Sequence, residues 1–244
     1  MKTTKPKAIR AQFKSCYLAA LDIIAPSNDP RYYLNGYSVE PCKEGGVIIT
    51  VTDGHRMASI RDETGYANQA FIIPKHKDLI ALAKRKAPRG KYNENVERIF
   101  INGDMIYAMR GWWECADGVN LQRPNSKHVN AVTMACAWPF KPVDGTFPDW
   151  RRLYRVIEDA EPRGDAGNFC INPKYVGDFE KVAKLLGAEI GALAMKSTGP
   201  HSSILINLTS PESKLIGIIM PMSAHDAAIP SWMDINLTKK EDDK

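Results

Sequence analysis

The chain has 244 residues and a formal net charge of +5 at pH 7, from 33 Lys and Arg against 28 Asp and Glu. This length suits one large domain or two smaller ones with a substantial hydrophobic core. The charge balance is only mildly basic, so the total charge does not by itself indicate a nucleic-acid partner. Any such partner must be argued from where the charges lie.

The cysteine pattern excludes two classes of small stabilised domain. The five cysteines are odd in number, and no two are separated by only two residues, which fits neither a disulfide framework nor a zinc ribbon. We expect reduced thiols and a cytoplasmic location. No stretch has the character of a signal peptide or the length of a membrane span, so we expect a soluble protein without a membrane partner.

In the first third of the chain, apolar spacing predicts a helix over residues 12–24. Strands are predicted at 32–40 and 47–52, joined by a hairpin loop at 41–46, with a further strand at 57–61. A short strand at 71–73 is then followed by Pro74, whose fixed φ suits the first position of a helix that reaches about residue 86.

The middle of the chain predicts strands at 98–101, 105–110 and 131–137, with an inserted loop at 111–127 and turns at 144–150. Residues 158–167 are predicted to form a linker. After it, the order of a short strand, Pro173-Lys174 and a helix repeats that of residues 71–75. Strands at 203–208 and 214–220 precede a tail, residues 223–244, that we expect to be disordered.

These elements predict an α+β fold built from three repeats of one helix followed by several antiparallel strands. The units begin near residues 8, 70 and 168, and repeats of this size stack beside one another.

Basic residues recur on the helix faces opposite the apolar ones. They are Lys14 in the first helix, Lys77, Lys84 and Arg85 in the second, and Lys174, Lys181 and Lys184 in the third. Solvated lysines on an exposed face are the ordinary explanation. Aligned basic helices from adjacent units would instead form a sequence-independent phosphate track, whose affinity for DNA falls with salt.

Asp53 and His55, at the end of an apolar strand, could form an acid–base pair or part of a metal site. A catalytic metal usually needs three protein ligands, and the other histidines show no ligand spacing. No nucleophile, phosphate-loop or dinucleotide motif occurs. The favoured interpretation is a tight turn at Asp53-Gly54 capped by Asp53, and a metal-dependent hydrolase is the least favoured.

Four separated stretches, RYYLNG, TDGHRM, DGTFPDWRR and IIMPM, occur in this order and together resemble the bacterial beta sliding clamp, the processivity ring of replicative DNA polymerase. FIIPKHKDLIALAKR falls where the middle domain of that family has its second helix. By this resemblance residues 8–155 match the middle domain and residues 168–222 match the second half of the last domain.

The resemblance implies a DNA-clamp fold without catalytic activity or cofactor, whose helices line a hole around duplex DNA. It also implies a hydrophobic pocket, between the middle and last domains, for short linear peptides of DNA polymerases and repair proteins. Carried over by position, Tyr32 and Tyr33 touch DNA. The implied pocket residues are Leu34, Thr52, Gly54, His55, Arg56, Met57, Pro148, Arg152, Leu153, Ile218, Met220, Pro221 and Met222. Gly54 would let a peptide approach closely, and His55 and Arg56 would be rim donors.

Departures from the family pattern indicate a truncated clamp, of the kind a phage or prophage encodes. The first domain and the first half of the last domain have no counterpart, a tail replaces the terminal Met-Arg-Leu, and residues 112–127 form an insertion. A family ring contains twelve halves and this chain supplies three, so a closed homo-oligomeric ring would need four chains. The alternative is a non-ring interaction module or decoy, which binds partner peptides or a host clamp without encircling DNA.

Overall fold

The computed structural model describes residues 8–85, 96–110, 133–159, 170–187, 193–197, 199, 202–208 and 215–223. The predicted insertion at 111–127 lies outside the described residues, as do nearly all of the predicted linker and tail.

The first unit contains β1 (Arg10–Lys14), α1 (Ser15–Leu21), a short 3-10 helix (Tyr32–Leu34), β2 (Gly36–Pro41), β3 (Val47–Thr52) and β4 (Arg56–Asp62). Strand β5 (Tyr66–Ala67) connects it to the second unit, which contains β6 (Phe71–Pro74), α2 (Lys77–Lys84), β7 (Val96–Asn102), β8 (Met105–Arg110) and β9 (Thr133–Pro139). Helix α3 (Arg151–Glu158) follows. The third unit contains α4 (Pro173–Leu185), β10 (Leu193–Lys196), β11 (Ile204–Leu208) and β12 (Leu215–Ile219).

The strands form two antiparallel sheets, one of order β5-β1-β7-β8-β9 and one of order β10-β11-β12-β4-β3-β2-β6. The first two units exchange their leading strands, because β1 pairs with β7 of the second unit and β6 pairs with β2 of the first. The two units therefore share one hydrophobic core. The predicted α+β clamp fold of repeated helix-plus-strand units is confirmed.

Helices α1, α2 and α4 form a layer with α1 at its centre, since α1 contacts both α2 and α4. The side chains of Leu18, Ala20 and Leu21 on α1 are fully buried, which leaves little of this helix for solvent. The neighbours α2 and α4 carry the exposed basic residues of the layer.

The third unit is joined to the first by strand pairing rather than by side-chain contact alone. Strand β12 pairs with β4 from Leu215 opposite Ile60 to Ile219 opposite Arg56. The seven-stranded sheet therefore runs without a break across the predicted boundary between residues 155 and 168.

Two helix predictions were wrong at their starts. Residues 10–14 form a strand because they pair with β7, so α1 begins only at Ser15. Pro74 ends β6, opposite Gly36, and α2 begins at Lys77, where the His76 ring accepts a hydrogen bond from the Leu79 N–H at 3.3 Å. In α4, by contrast, Pro173 does occupy the first turn, with Asn172 as the capping residue.

Helix α3 and strand β10 were not predicted. In α3 the apolar residues Leu153, Tyr154 and Ile157 do recur at helical spacing, but the helix has only eight residues, so the periodic signal in its sequence is short. The predicted strand at 32–40 begins instead with a 3-10 turn. Within the described part of the chain, no helix has both the length and the apolar character needed to cross a membrane.

Candidate functional site

A cavity of about 270 Å³ opens where the third unit meets the first. It is bordered by the 3-10 turn, the β3–β4 turn, the start of α3 and the end of β12. Its lining residues are Arg31, Leu34, Thr52, Gly54, His55, Arg56, Met57, Pro148, Asp149, Trp150, Arg152, Leu153, Ile218 and Met220. Every predicted pocket residue except Pro221 and Met222 is in this set, while Arg31, Asp149 and Trp150 were missed, although each lies within one of the quoted motifs.

The floor of the cavity is apolar. Met57, Trp150 and Ile218 are buried and pack with Ile157 in a small core of their own, against which Leu153 is half-buried. Such a floor, with polar groups at its edge, is the usual composition of a site for an apolar ligand or side chain.

The turn between β3 and β4 is held by the carboxylate of Asp53. One oxygen accepts hydrogen bonds from the backbone N–H groups of His55 and Arg56, both at 2.9 Å, and Gly54 has a φ of +86°. The capped-turn interpretation of this stretch is therefore correct. Among the described residues, no group of three or more His, Cys, Asp or Glu side chains is arranged to hold a metal ion.

The expectation that Arg56 is a rim donor was wrong. Its side chain is only 7% exposed, and its guanidinium donates to Asp53 at 2.9 Å and to Asp178 of α4 at 2.6 Å. It also lies 4.6 Å from the ring centre of Tyr175. Burial alone would raise the pKa of Asp178, but hydrogen bonds from Lys181 and Arg56 outweigh it and hold that pKa below its ordinary value.

Exposed cations at the rim come from other residues. Arg31 pairs with Asp29, whose pKa its hydrogen bonds lower to about 2, and it covers Gly54 so closely that a Cβ there would lie 2.7 Å from the guanidinium. The half-exposed guanidinium of Arg31 thus lies against Gly54 at the rim of the cavity. Arg152 is exposed, and no ion pair to it is found among the described residues.

Pro221 and Met222 lie beyond the cavity wall. The N–H of Met220 donates to the carbonyl of His55 at 2.8 Å, and the N–H of Met222 donates to the carbonyl of Cys170 at 2.8 Å. The side chain of Met222 is 52% exposed. The chain after β12 therefore follows the edge of the cavity and then reaches the surface.

The predicted basic residues differ in how far their charge is already paired. Lys84 pairs with Asp22 at 2.7 Å, Lys181 pairs with Asp178 at 2.8 Å, and Lys184 pairs with Glu180. Lys77, Arg85 and Lys174 are exposed, and the described residues provide none of them with an ion pair. Lys14 ends β1 rather than lying in a helix, with its ammonium 5.8 Å from the ring centre of Tyr17.

The predicted DNA-contacting tyrosines lie beside the cavity. Tyr32 is 59% exposed and packs edge-on to Tyr33, with ring centres 5.7 Å apart. Both side chains approach Gly145, in the loop that leads to Pro148.

No protein-family model matches the sequence, and no curated protein matches it. Solved structures do match, and each of the following three covers 92% of this chain. A DnaN sliding clamp (DNA polymerase III subunit beta) from Bartonella birtlesii, bound to griselimycin, is 15% identical with a TM-score of 0.54 over 68% of its own length. A DNA polymerase sliding clamp from Pseudomonas aeruginosa with ligand is 16% identical, with a TM-score of 0.54 over 69% of its own length. A DNA polymerase sliding clamp from Bacillus subtilis is 15% identical, with a TM-score of 0.53 over 68% of its own length.

The chain has the sliding-clamp fold. At this level of identity the likeness concerns architecture, and the chemistry of the site must be argued from the residues present here.

A second cavity, of about 470 Å³, lies next to the first. The two cavities share a wall formed by Pro148, Asp149 and Trp150. Its other side is formed by β2 and β6. Arg151 borders it, stacked 4.1 Å from the ring centre of Trp150 and paired with Glu40 at 2.6 Å. The sequence did not suggest this second cavity.

Proposed function

We propose that the chain is a clamp-like DNA replication processivity factor of the cytoplasm, without catalytic activity. It binds duplex DNA without sequence preference and docks short linear peptides of DNA polymerases or repair proteins in the cavity of about 270 Å³.

One observation carries the proposal. Four stretches distant in sequence, around Leu34, Gly54, Pro148 and Ile218, meet at a single apolar cavity. The buried floor would accept apolar side chains, and the exposed Arg152, with which no described residue forms an ion pair, would favour an acidic neighbour in the same peptide.

Griselimycin can test the docking half of the proposal. The clamp from Bartonella birtlesii binds griselimycin, and we expect this chain to bind it too, measured by calorimetry. Leu153→Lys, which puts a charge into the cavity, should weaken binding at least tenfold, that is by about 1.4 kcal/mol. Val156→Lys is the matched control, because Val156 lies on the same helix with 62% of its surface exposed. Equal affinities of the two variants would count against docking at this cavity.

The helix layer supports the DNA half of the proposal. Exposed lysines on α2 and α4 flank the buried helix α1, and counterion release would make their affinity for duplex fall linearly with salt on logarithmic scales. Retention on nicked circular DNA should exceed retention on linear DNA if the assembly encircles the duplex. Equal retention on both would exclude encirclement while leaving an open basic track.

Closure of a ring is the finer part of the proposal. A ring of twelve halves would contain four chains, so light scattering should find four times the chain mass of 27.2 kDa at high concentration. A constant mass of one chain would exclude a closed homo-oligomeric ring. Griselimycin binding with no DNA binding at low salt would select the non-ring interaction module instead.

A further inference from the structure

We propose that the segment following Ser223 docks in cis into the same cavity, so that the chain occupies its own peptide groove until a partner displaces it. The inference rests on the proposed peptide-docking function and adds regulation to it.

The described chain delivers this segment to the cavity. Met220 lines the wall and is held there by its hydrogen bond to the carbonyl of His55. Met222 is fixed two residues later by its hydrogen bond to Cys170, and Ser223 is exposed. The chain thus leaves the body within three residues of the cavity wall. Nine further residues, to Trp232, can span about 30 Å when extended, more than enough to turn back across a cavity of about 270 Å³.

The composition of the segment complements the cavity. Residues 224–237 contain two acidic residues, Asp226 and Asp234, and no Lys or Arg. The large apolar side chains there are Ile229, Trp232, Met233, Ile235 and Leu237. Asp234 stands between two of them, as the exposed Arg152 stands beside the apolar floor. Apolar anchors next to a carboxylate therefore match the floor and the rim together.

Because the segment is linked to the body of the chain, a weak intrinsic affinity is sufficient for it to occupy the cavity. A peptide linked by a short connection experiences an effective concentration of about 1 mM, so a segment with micromolar affinity would fill the groove in cis. A partner peptide then binds only to the open fraction of molecules, which lowers its apparent affinity by that fraction. Docking would be reserved for partners that bind tightly or arrive at high local concentration.

The test uses the full chain and a labelled synthetic peptide of residues 224–237 as the probe. The variant Trp232→Ala/Met233→Ala/Leu237→Ala removes the anchors from the tethered copy while leaving the described body unchanged. We expect the probe to bind this variant at least about tenfold more tightly than it binds the unmodified chain. The matched control Ser231→Ala/Asn236→Ala/Thr238→Ala alters the same segment without touching its anchors, and should bind the probe as the unmodified chain does.

The variant Trp232→Ala/Met233→Ala/Leu237→Ala is called the anchor variant. Adding Leu153→Lys to it should abolish the gain in probe affinity, because this substitution puts a charge into the cavity and does not alter the segment. Equal probe affinity of the unmodified chain and the anchor variant would overturn the proposal. A gain in probe affinity that persists in the presence of Leu153→Lys would also overturn it. So would weak probe binding by the unmodified chain that becomes strong on dilution, because that result would place the segment in the cavity of a second copy.

The two levels of failure are distinguishable. If griselimycin binds the unmodified chain and the anchor variant with the same affinity, the docking function stands and the cis segment is refuted. If neither that ligand nor the probe binds the anchor variant, the docking function itself fails, and the inference fails with it.

Discussion

The guanidinium of Arg56 donates to the carboxylate of Asp178 at 2.6 Å, although the two residues are 122 positions apart. Their side chains are 7% and 6% exposed. Arg56 belongs to the turn that borders the cavity, and Asp178 belongs to the helix that carries the basic face of the third unit. This ion pair therefore connects the β3–β4 turn to helix α4, and so connects the first unit to the third.

Removing one member of this pair should be costly. Asp178→Ala leaves Arg56 buried with only Asp53 as its carboxylate partner, and we expect a loss of about 3 kcal/mol in the free energy of unfolding, measured by urea denaturation. Glu180→Ala is the control, because it breaks the exposed pair with Lys184 on the same helix and should cause no measurable loss. Similar stabilities of the two variants would show that the Arg56–Asp178 pair does not hold the units together.

The same pair should give the chain an acid-sensitive contribution to stability. The folded-state pKa of Asp178 lies below its ordinary value, so its contribution is complete above the unfolded-state pKa of about 4 and is lost as the pH falls through the folded-state value. The difference in unfolding free energy between the unmodified chain and Asp178→Asn should be constant above about pH 5. It should shrink steadily in urea titrations below about pH 4. A difference that grows on acidification would contradict the assigned direction.

Two glycines should respond in opposite directions to the same substitution. A Cβ on Gly217 of β12 would lie 2.3 Å from the buried ring of Phe179, so Gly217→Ala should destabilise the chain by about 1–3 kcal/mol. A Cβ on Gly177, inside α4, would meet nothing within 4 Å, so Gly177→Ala should stabilise it by up to about 1 kcal/mol. Thermal unfolding of both variants checks the packing of α4 on the sheet. Shifts of the same sign would contradict it.

Unpaired lysines should contribute most to DNA binding. Because Lys77 and Lys174 are exposed and no described residue forms an ion pair with them, Lys77→Glu/Lys174→Glu should reduce the slope of log affinity against log salt by about 2 for duplex DNA. Fluorescence anisotropy across a salt series gives the slope. Lys43→Glu, in the exposed hairpin loop between β2 and β3, is the control for loss of net positive charge. An equal change in slope per substituted lysine in the double variant and in Lys43→Glu would indicate a general effect of net charge and would contradict a phosphate track on α2 and α4.

Local sequence was informative where an element's own side chains decide its state. Strands were predicted at 47–52 and 105–110, which are the bounds of β3 and β8, and Pro173 marked the start of α4. The repeat of strand, Pro-Lys and helix predicted the third unit. The residues around the cavity were grouped by motif resemblance, because nothing in local spacing says that Leu34 and Ile218 meet.

Other features depended on a distant partner and could not be predicted locally. Residues 12–14 were predicted as the start of a helix but form the end of β1, since pairing with β7 outweighs a weak local preference. Arg56 looked like a surface donor, and its burial depends on Asp178. Lys84 and Lys181 looked unpaired, and their charges are offset by Asp22 and Asp178.

The sequence by itself determined the succession of repeated units, the apolar faces of α2 and α4 and the turn at Asp53-Gly54, because periodicity and turn chemistry act over a few residues. Only the tertiary structure decided which strand pairs with which, where the cavity opens and which cations are left unpaired. Those outcomes arise from contacts between residues far apart in the chain, whose free energies exceed the local preferences of either partner.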